Sequence, residues 1–562
     1  MEDFAPWYRF YDDIPKTLRY PHKMMWEMVF DNADKYPKYT ALRYMGERVT
    51  YEQLKKNILR VQSGLYYAGV RRGDRVAVCL PNIPQAVYCL YALNRMGAVS
   101  SFLHPLSAVG ELEHYLKELD SRYVVTLDSL YPVFSQVRGI ESNRKLILTS
   151  PADELSPVRR WMYNTTHPAE VPDNKNIVFW KDLMKHECIL PSGVSGEIDN
   201  MAVVLFSGGT TGVPKGVMLS DQNLNSMGLQ TIAMCHCDVL GKSMLAAMPM
   251  FHGFGLGVCV HTALIGGACS ILVPRFTVTE YAKLIYKYKA EFIAGVPTLF
   301  EAILRSSYLK GKDLSFLRGV FSGGDALPLM LKKRFDDFLL AQGSPVKIRE
   351  GYGATECVTA SCLTPYNTDR EGSIGVPMPD MLYKICRVGT CEAVPYEEEG
   401  EICISGPSVM MGYLNNQEET EATLKVHADG RVWLHSGDVG MMDSDGFVYF
   451  RYRLKRIIVA SGYNIYPERI ERILEEHKFV RQSCVIGVRD SYRMRRIKAF
   501  VVLSEGVPRD KKTCDILIEH CRRNIASFAL PKEIEFRSSL PVTGVGKVDY
   551  KELESEDNIS DR

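Results

Sequence analysis

A glycine-rich loop at residues 207–216 has the residue types of a polyphosphate-binding loop. It reads SGGTTGVPKG and follows a predicted strand, Ala202 to Phe206. Glycines let backbone N–H groups turn toward an anion, hydroxyls add hydrogen-bond donors, and a lysine supplies a positive charge. The residue order differs from a Walker A loop, and a structural turn without a ligand is the alternative interpretation. The expected phosphate contacts are Ser207, Gly209, Thr210, Thr211, Gly212 and Lys215.

Five more segments follow this loop along the chain. They are SGGDAL at 322–327, GYGATE at 351–356, WLHSGD at 433–438, RLKR at 453–456 and GVGK at 544–547. In type and order, these segments and the loop resemble the adenylate-forming superfamily, which includes acyl-CoA synthetases, luciferases and the adenylation domains of peptide synthetases. A single glycine-rich loop is a weak signal, whereas an ordered set over about 340 residues is far more specific.

The resemblance implies a nucleotide site that binds ATP. In such a site Asp438 holds the ribose hydroxyls, and Tyr352 either stacks on the adenine or packs beside it. Glu356 holds Mg²⁺ on the phosphates. Thr355 donates its hydroxyl to the α-phosphate, although residues 355–357 are also typical of the first turn of a helix. The resemblance implies further nucleotide contacts at Gly323, Gly324, Asp325, Gly353, Arg453 and Lys455. Of these, Arg453 and Lys455 lie in an interdomain hinge.

Lys547, close to the C-terminus, is the residue that we expect to catalyse the first reaction. A free carboxylate is a poor acyl donor, and joining it to AMP brings two anions together at the α-phosphorus. Catalysis then consists of positioning and charge neutralisation. A lysine on a glycine-flanked loop can reach both the carboxylate and the phosphate oxygens. Without the surrounding motif, a surface lysine would be the default interpretation.

The segment PMFHGFG at 249–255 resembles the entrance of the acyl pocket in this family. Amino-acid-activating relatives carry an aspartate after the phenylalanine, whereas this chain has His252 there. Losing the partner of a substrate ammonium disfavours amino acids and favours an apolar acid. His252 either gates the pocket between the half-reactions or is part of its wall. Five glycines either leave room for an acyl chain or serve ordinary packing: Gly253, Gly255, Gly257, Gly295 and Gly323.

The second half-reaction requires a thiol to reach the acyl-adenylate. In the family, the small domain turns about the hinge, and the resemblance implies that Ser461, Gly462 and Tyr463 then line the path of CoA. A basic cluster between Arg489 and Lys498 is either a solvated surface or a contact for the nucleotide end of CoA. Only 15 residues follow Lys547, so we expect free CoA rather than a fused carrier domain.

Composition excludes several other classes of protein. The 562 residues carry 68 Lys plus Arg against 67 Asp plus Glu, a net charge of +1, which predicts no nucleic-acid partner. The 15 cysteines are scattered through apolar runs and never form C-x-x-C, which is typical of a reduced, cytoplasmic protein. The first residues have neither the basic start nor the apolar stretch of a signal peptide, so we expect a protein that is not secreted. The most apolar segment, Leu256 to Val273, is typical of a buried helix followed by a turn and a strand rather than of a transmembrane helix.

Predicted strands alternate with helices over the first two thirds of the chain, which favours an α/β fold of doubly wound sheets. The predicted segments include strands at Phe292–Gly295 and Gly319–Ser322 and helices at Pro84–Arg95, Glu280–Tyr288 and Leu299–Ser306. From Gly372 to Phe450 short strands separated by turns predict a small β-barrel-like unit. A small, mobile α+β domain then follows. We place the domains at residues 1–452, for AMP and acyl binding, and 453–562, which carries the catalytic lysine.

The combined prediction is an acyl-CoA synthetase, an ATP-dependent ligase that adenylates a small-molecule carboxylic acid, releases pyrophosphate, and transfers the acyl group to CoA. A medium- or long-chain fatty acid is the expected substrate. One alternative is a ligase for an aryl acid, or one that loads a separate carrier protein. Another is an inactive acyl or nucleotide sensor. The sequence leaves a homodimer open.

Overall fold

The computed structural model describes residues 5–172, 174–186, 193–207, 214–275, 277–460, 463–490, 494–525, 529–544 and 546–560. Two largely parallel sheets form the body of the N-terminal part, and helices cover them. One large hydrophobic core joins these layers, from Ala5 to Val448, and a smaller core lies under one face of the second sheet. The predicted α/β class is confirmed.

The first sheet has nine strands in the order β16-β15-β14-β13-β12-β10-β11-β1-β2, and the second runs β19-β9-β8-β4-β3-β5-β6-β7. The strands of this part are β1 (Thr40–Tyr44), β2 (Glu47–Thr50), β3 (Arg75–Cys79), β4 (Val99–Phe102), β5 (Tyr123–Leu127), β6 (Lys145–Thr149), β7 (Ile177–Phe179), β8 (Met201–Ser207), β9 (Lys215–Ser220), β10 (Ser243–Ala246), β11 (Cys269–Leu272), β12 (Phe292–Gly295), β13 (Gly319–Ser322), β14 (Ile348–Tyr352), β15 (Cys362–Leu363), β16 (Val376–Pro377) and, further along, β19 (Gly412–Tyr413). Parallel pairing from β1 through β14 brings the ends of β12, β13 and β14 to one edge. Ligands in open α/β sheets bind at such an edge.

Helices cover both sheets. They are α1 (Met25–Lys35), α2 (Tyr51–Ala68), α3 (Pro84–Met96), α4 (Val109–Glu118), α5 (Tyr131–Phe134), α6 (Ile140–Asn143), α7 (Pro157–Thr166), α8 (Trp180–Leu183), α9 (Asp221–Ala233), α10 (Ala263–Ile265), α11 (Val278–Tyr288), α12 (Pro297–Arg305) and α13 (Leu329–Ala341). Among them, α3, α11 and α12 lie where the sequence predicts helices. Helix α2 begins with a capping box, in which Thr50 and Gln53 bond each other's backbone N–H groups. No helix in the described ranges has the length and apolarity that a membrane crossing demands.

The segment Phe254–Thr262 is a π-helix, where the sequence indicates only a buried helix. All nine of its residues are buried. A π-helix is rare and is found mostly at functional sites. Gly255 within it allows the backbone to pack closely, because a Cβ atom there would lie 2.1 Å from the carbonyl oxygen of Pro249.

A five-stranded antiparallel sheet follows, where a barrel-like unit is predicted. Its strands are β17 (Leu382–Cys386), β18 (Gly400–Ser405), β20 (Leu424–Val426), β21 (Val432–Met442) and β22 (Val448–Arg453), in the order β17-β18-β21-β20, with β22 on β21. Helix α14 (Gln417–Thr423) precedes β20. Strand β21 turns sharply at Gly437, whose φ of +72° is in the left-handed region that favours glycine.

The C-terminal part has its own hydrophobic core, from Ile458 to Leu530. Its strands are β23 (Ile458–Ala460), β24 (Tyr463–Ile465), β25 (Val480–Asp490), β26 (Met494–Leu503) and β27 (Glu533–Arg537), and its helices are α15 (Pro467–Glu476), α16 (Lys511–Asn524) and α17 (Tyr550–Ser560). The mixture agrees with the predicted α+β domain, whose boundary at residue 453 stays a prediction.

Candidate active site

The sequence motifs converge on one cavity of about 1010 Å³. Its walls come from loops that follow β4, β8, β13 and β14, from the antiparallel sheet, and from the loop around Lys547. Of the predicted site residues in the described ranges, those that line it are Ser207, Lys215, His252, Gly323, Gly324, Gly353, Thr355, Glu356, Asp438, Arg453, Lys455 and Lys547.

Asp438 is fixed on the cavity wall by two partners. The Tyr352 hydroxyl donates to Oδ2 at 2.7 Å, and Arg453 Nε lies 2.9 Å from Oδ1. Asp438 itself is 2% exposed. The nearby carboxylate raises the pKa of the Arg453 guanidinium. Each carboxylate oxygen still has a lone pair for a ligand hydroxyl. Tyr352 therefore positions the Asp438 carboxylate. The sequence predicts only that Tyr352 stacks on the adenine or packs beside it, so this role was missed.

Glu356 is held by a residue that the motifs do not include. The Tyr413 hydroxyl donates to Glu356 Oε1 at 2.9 Å. The backbone carbonyl of Glu356 also accepts from the Met410 N–H at 2.8 Å. Thr355 begins the 3₁₀ turn Thr355–Cys357, which agrees with the predicted helical first turn and still places Thr355 on the cavity wall.

Lys547 enters the cavity from the C-terminal part. A Cβ atom on Gly324 would lie 3.4 Å from Lys547 Cε, so the side chain passes directly over that glycine. Desolvation and then the Arg453 charge lower the pKa of Lys547, while Asp325, Asp438 and Glu356 oppose the shift. The lysine therefore lies in the electrostatic field of three carboxylates and one guanidinium.

One loop, the lysine loop, carries Gly544, Gly546 and Lys547. Two close contacts hold it against the N-terminal part. Thr298, in the first turn of α12, donates its hydroxyl to the Gly546 carbonyl oxygen at 3.0 Å. The ring of His104 lies against Gly544, where an added Cβ atom would be 2.3 Å from Nε2. Gly546 has a φ of +83°, which favours glycine at this position of the loop.

The predicted phosphate loop is described only at its two ends. Gly209, Thr210, Thr211 and Gly212 lie outside the described residues, together with Gly208 and Val213. Ser207 ends β8, and its hydroxyl donates to the Lys215 carbonyl oxygen at 3.4 Å.

Lys215 begins β9 and forms an ion pair with Glu419. Lys455 Nζ lies 3.9 Å from the same carboxylate. Glu419 therefore joins two lysines that the sequence assigns separately to phosphate and to the hinge. Asp325 follows Gly324, and its Oδ1 accepts from the Ala326 N–H at 3.0 Å.

His252 is a neutral part of the cavity wall. Its Nδ1 accepts from the Phe254 N–H at 3.2 Å. Desolvation and the charge of Lys547 lower the pKa of His252 to about 3, so the ring is uncharged at neutral pH. The apolar residues of this end of the cavity are Phe251, Phe254, Val258, Phe321, Leu363 and Met378.

The predicted glycines near this wall differ in their surroundings. Gly323 lines the cavity, whereas a Cβ atom on Gly257 or Gly295 would collide with Met227 or Leu299. Packing explains these two glycines. Gly353 also permits a close approach, because its Cβ atom would lie 2.4 Å from the Thr359 carbonyl oxygen.

The residues predicted to meet CoA are only partly described. Ser461 and Gly462 lie outside the described residues, and for Tyr463 only the backbone, in β24, is described. Of the basic cluster, Lys498 is buried and lies within 3.1 Å of Glu533, Glu535 and Asp557. These carboxylates already neutralise Lys498, which argues against its predicted role as a phosphate contact.

Sequence reasoning missed Tyr413, Glu419 and Thr298. Tyr413 is the last residue of the segment GPSVMMGY at 406–413, whose glycines and tyrosine form a recognisable pattern, and Glu419 lies six residues further along the chain. Thr298 has no local signal, because its role depends on a partner 248 residues away.

Comparison with known proteins decides the family. A model of the AMP-binding enzyme family matches residues 29–414, and one of the AMP-binding enzyme C-terminal domain matches residues 469–547. The chain belongs to the AMP-binding enzymes. The predicted membership of the adenylate-forming superfamily is confirmed.

Relatives of this AMP-binding enzyme match it over nearly the whole length. A long-chain-fatty-acid–CoA ligase of Bacillus subtilis (strain 168) is 36% identical in an alignment of 576 positions, which covers 99% of each chain. A feruloyl-CoA synthase of Amycolatopsis sp is 33% identical over 517 residues, covering 91% of this chain and 94% of the relative. ATP-bound MatB from Rhodopseudomonas palustris shares the fold, with a TM-score of 0.81 at 24% identity and coverage of 95% and 98%.

Proposed function

We propose that this AMP-binding enzyme is an acyl-CoA ligase that acts on an apolar carboxylic acid, a medium- or long-chain fatty acid. The observation that carries the proposal is one cavity with two kinds of wall. Lys547, Glu356 and Asp438 line it together with the apolar residues Phe254 and Val258. The similarity to a long-chain-fatty-acid–CoA ligase over the full length supports the choice of acid.

The first reaction joins the acid to AMP. A carboxylate oxygen attacks the α-phosphorus of ATP, and the bond to the β-phosphate oxygen breaks, releasing pyrophosphate. The Lys547 ammonium lies between the two anions and stabilises the charge at the phosphorus. Asp438 accepts hydrogen bonds from the ribose, and the cavity orients both reactants. The neutral His252 adds no charge that would repel or attract the acid.

Glu356 fits the predicted role of a magnesium ligand. One carboxylate oxygen accepts from Tyr413, while within the described chain no hydrogen bond is made to the other oxygen. Mg²⁺ binds proteins through one or two carboxylates and takes further oxygens from phosphates and water. When bound, the ion supplies additional charge neutralisation on the phosphates.

In the second reaction the CoA thiol attacks the acyl carbonyl carbon, AMP leaves with the bonding electron pair, and the thiol proton passes to solvent. We retain Ser461, Gly462 and Tyr463 as the path of the thiol. Gly462→Trp is then expected to slow thioester formation from supplied acyl-AMP by at least about tenfold and to leave pyrophosphate release unchanged. An unaffected thioester rate would remove this segment from the path.

An aryl acid is the second candidate substrate, because the feruloyl-CoA synthase relative is 33% identical. Two further hypotheses are transfer of the acyl group to a separate carrier protein and an inactive acyl or nucleotide sensor. The test is a panel of fatty and aryl acids, supplied with ATP, Mg²⁺ and CoA. Pyrophosphate release and the mass of the acyl-CoA product are measured for each acid.

We expect the highest kcat/KM with acids of about eight or more carbons, because a medium or long acyl chain would fill the apolar end of the cavity. Val258→Trp narrows that end and is expected to reduce kcat/KM for the longest acids at least about tenfold, with an unchanged KM for ATP. Adenylate that accumulates without thioester would favour a carrier protein. No pyrophosphate with any acid would favour the sensor.

A cytoplasmic location belongs to the same proposal. All cysteines in the described ranges are free thiols, and most are buried, as in a reduced compartment. A homodimer stays open, and the mass of the purified protein in solution tests it.

A further inference from the structure

A second cluster of chemically reactive side chains lies on the antiparallel sheet, beside the nucleotide end of the cavity. Cys391 is exposed in the connection between β17 and β18, His427 follows β20, and His435 lies in β21. One nitrogen of each imidazole and Cys391 Sγ lie within 4.8 Å of one another. The proposed ligase reaction uses none of these three groups.

Hydrogen bonds fix which nitrogen of His435 is available. Nδ1 lies 2.7 Å from Glu401 Oε2, and because a carboxylate accepts, Nδ1 carries the proton. Nε2 of His435 therefore carries a lone pair, which is directed at His427. A carboxylate behind a histidine in this way is the usual second layer of a metal site, where it orients the ring and increases its basicity.

His427 has a lone pair that the fold does not use. Its Nε2 lies 2.9 Å from His435 Nε2, so without an ion it must donate its proton there. The other nitrogen, Nδ1, is then an acceptor, and no donor reaches it in the described ranges. His427 is only 4% exposed. A buried polar atom without a partner is rare. When a cation binds between the two Nε2 atoms, the His427 proton moves to Nδ1, and the lone pair of each Nε2 is free to bind the ion.

The charges around the two rings allow a dication to bind. Lys384 is a cation near His427. Lys384 Nζ is 3.7 Å from Asp429 Oδ2, which offsets the charge of the lysine. Glu401 supplies one further negative charge next to His435, and a Cys391 thiolate supplies another.

We propose that Cys391, His427 and His435 bind one Zn²⁺ ion. Two imidazoles and a thiolate are ligands that zinc prefers and Mg²⁺ does not, so this site differs in chemistry from Glu356. Water completes the tetrahedron on the exposed side of Cys391. On binding, the thiol releases its proton to solvent. His435 is three residues before Asp438 in β21. The ion would therefore link the segment between β17 and β18, which carries Cys391, to the strand that carries Asp438.

Cobalt substitution tests this site in the full-length protein. The protein is purified without a histidine tag, stripped with EDTA, kept reduced, and titrated with Co²⁺. We expect one Co²⁺ per chain, the d–d bands of tetrahedral cobalt, and a thiolate-to-cobalt charge-transfer band. Zn²⁺ is expected to abolish these bands, and excess Mg²⁺ is expected to leave them unchanged.

Variants separate the three proposed ligands from other cysteines and histidines. Cys391→Ser should remove the charge-transfer band, and His427→Ala should weaken Co²⁺ binding by at least about tenfold. Cys514→Ser and His477→Ala, in the C-terminal part, are the matched controls and should bind as the wild type does. Circular dichroism checks that each variant folds.

Three results would overturn the assignment. The first is a wild-type protein that binds no Co²⁺. The second is a charge-transfer band that survives in Cys391→Ser but disappears in Cys403→Ser, which would place the ion in the buried group of Glu401, Cys403 and His435. The third is equal loss of binding in the control His477→Ala.

Discussion

The two sides of the cavity are built differently. On the N-terminal side, Asp438 and Glu356 are each held by a tyrosine hydroxyl, and Asp438 also pairs with Arg453. On the C-terminal side, Lys547 projects from a loop that is anchored by the Thr298 hydrogen bond and by packing against His104. The first side is preorganised by these hydrogen bonds, and the second is held by contacts between the two parts of the chain.

In the proposed function, this difference separates nucleotide binding from catalysis. The proposed nucleotide-binding groups serve both half-reactions, so they can stay fixed by buried hydrogen bonds between the two steps. The proposed role of Lys547 is confined to the first reaction, and a loop held by separate contacts can withdraw before the thiol arrives. Four measurements test whether the two sides of the cavity differ in this way.

Replacing Lys547 with alanine should have the largest effect. It removes the charge between the two anions, and we expect pyrophosphate release to fall by at least about 10²- to 10³-fold. Thioester formation from supplied acyl-AMP should be nearly unchanged, since the lysine is withdrawn in that step. Lys512→Ala, on the exposed surface of α16, is the control. Equal loss in both reactions would show that the lysine loop belongs to the preorganised side.

The rate of adenylation should also depend on pH through Lys547. Its pKa is lowered in the folded protein, and the protonated form is the active one. As pH rises through that pKa the charge is lost, so kcat/KM should fall about tenfold per pH unit, beginning below the ordinary lysine value of about 10.4. Lys547→Arg stays charged and should remove this alkaline decline. A decline that persists in Lys547→Arg would assign it to another group.

Asp438→Asn should weaken ATP binding. The change leaves Arg453 without its charged partner and weakens the hydrogen bond from Tyr352. We expect KM for ATP to increase by about 10- to 100-fold, or about 1.4–2.8 kcal/mol. Glu399→Gln breaks the surface pair with Arg451, at 3.1 Å on the adjoining strand, and should change KM by less than about threefold. Equal effects would mean that Asp438 acts through general stability.

Thr298→Val should have the smallest effect and the most selective one. It removes a single hydrogen bond to the Gly546 carbonyl, worth about 0.5–1.5 kcal/mol, from a side chain of nearly the same shape. Adenylation should slow by about two- to tenfold, whereas KM for ATP and the thioester step should not change. A raised KM for ATP would indicate that the lysine loop also helps to bind the nucleotide.

Local pattern predicted the elements well where one chain segment suffices. The strands Phe292–Gly295 and Gly319–Ser322 have the predicted bounds, and helix Pro84–Met96 differs by one residue. The π-helix was not predicted, because its all-buried sequence has no amphipathic period to reveal the helix type. The π-helix occurs where the backbone of Gly255 packs closely against Pro249, a contact that residue helix propensities do not reveal.

Residue type and order in the sequence were enough to identify the family and to select candidate contacts for phosphate, ribose and the acid, including the lysine near the end of the chain. Which groups meet is known only from the folded structure: Lys215 meets Glu419, 204 positions apart, and Asp438 meets both Tyr352 and Arg453. It also brought Cys391, His427 and His435 together. Hydrophobic periodicity specifies an element and its buried face, but partners in different elements are chosen by packing of the whole fold.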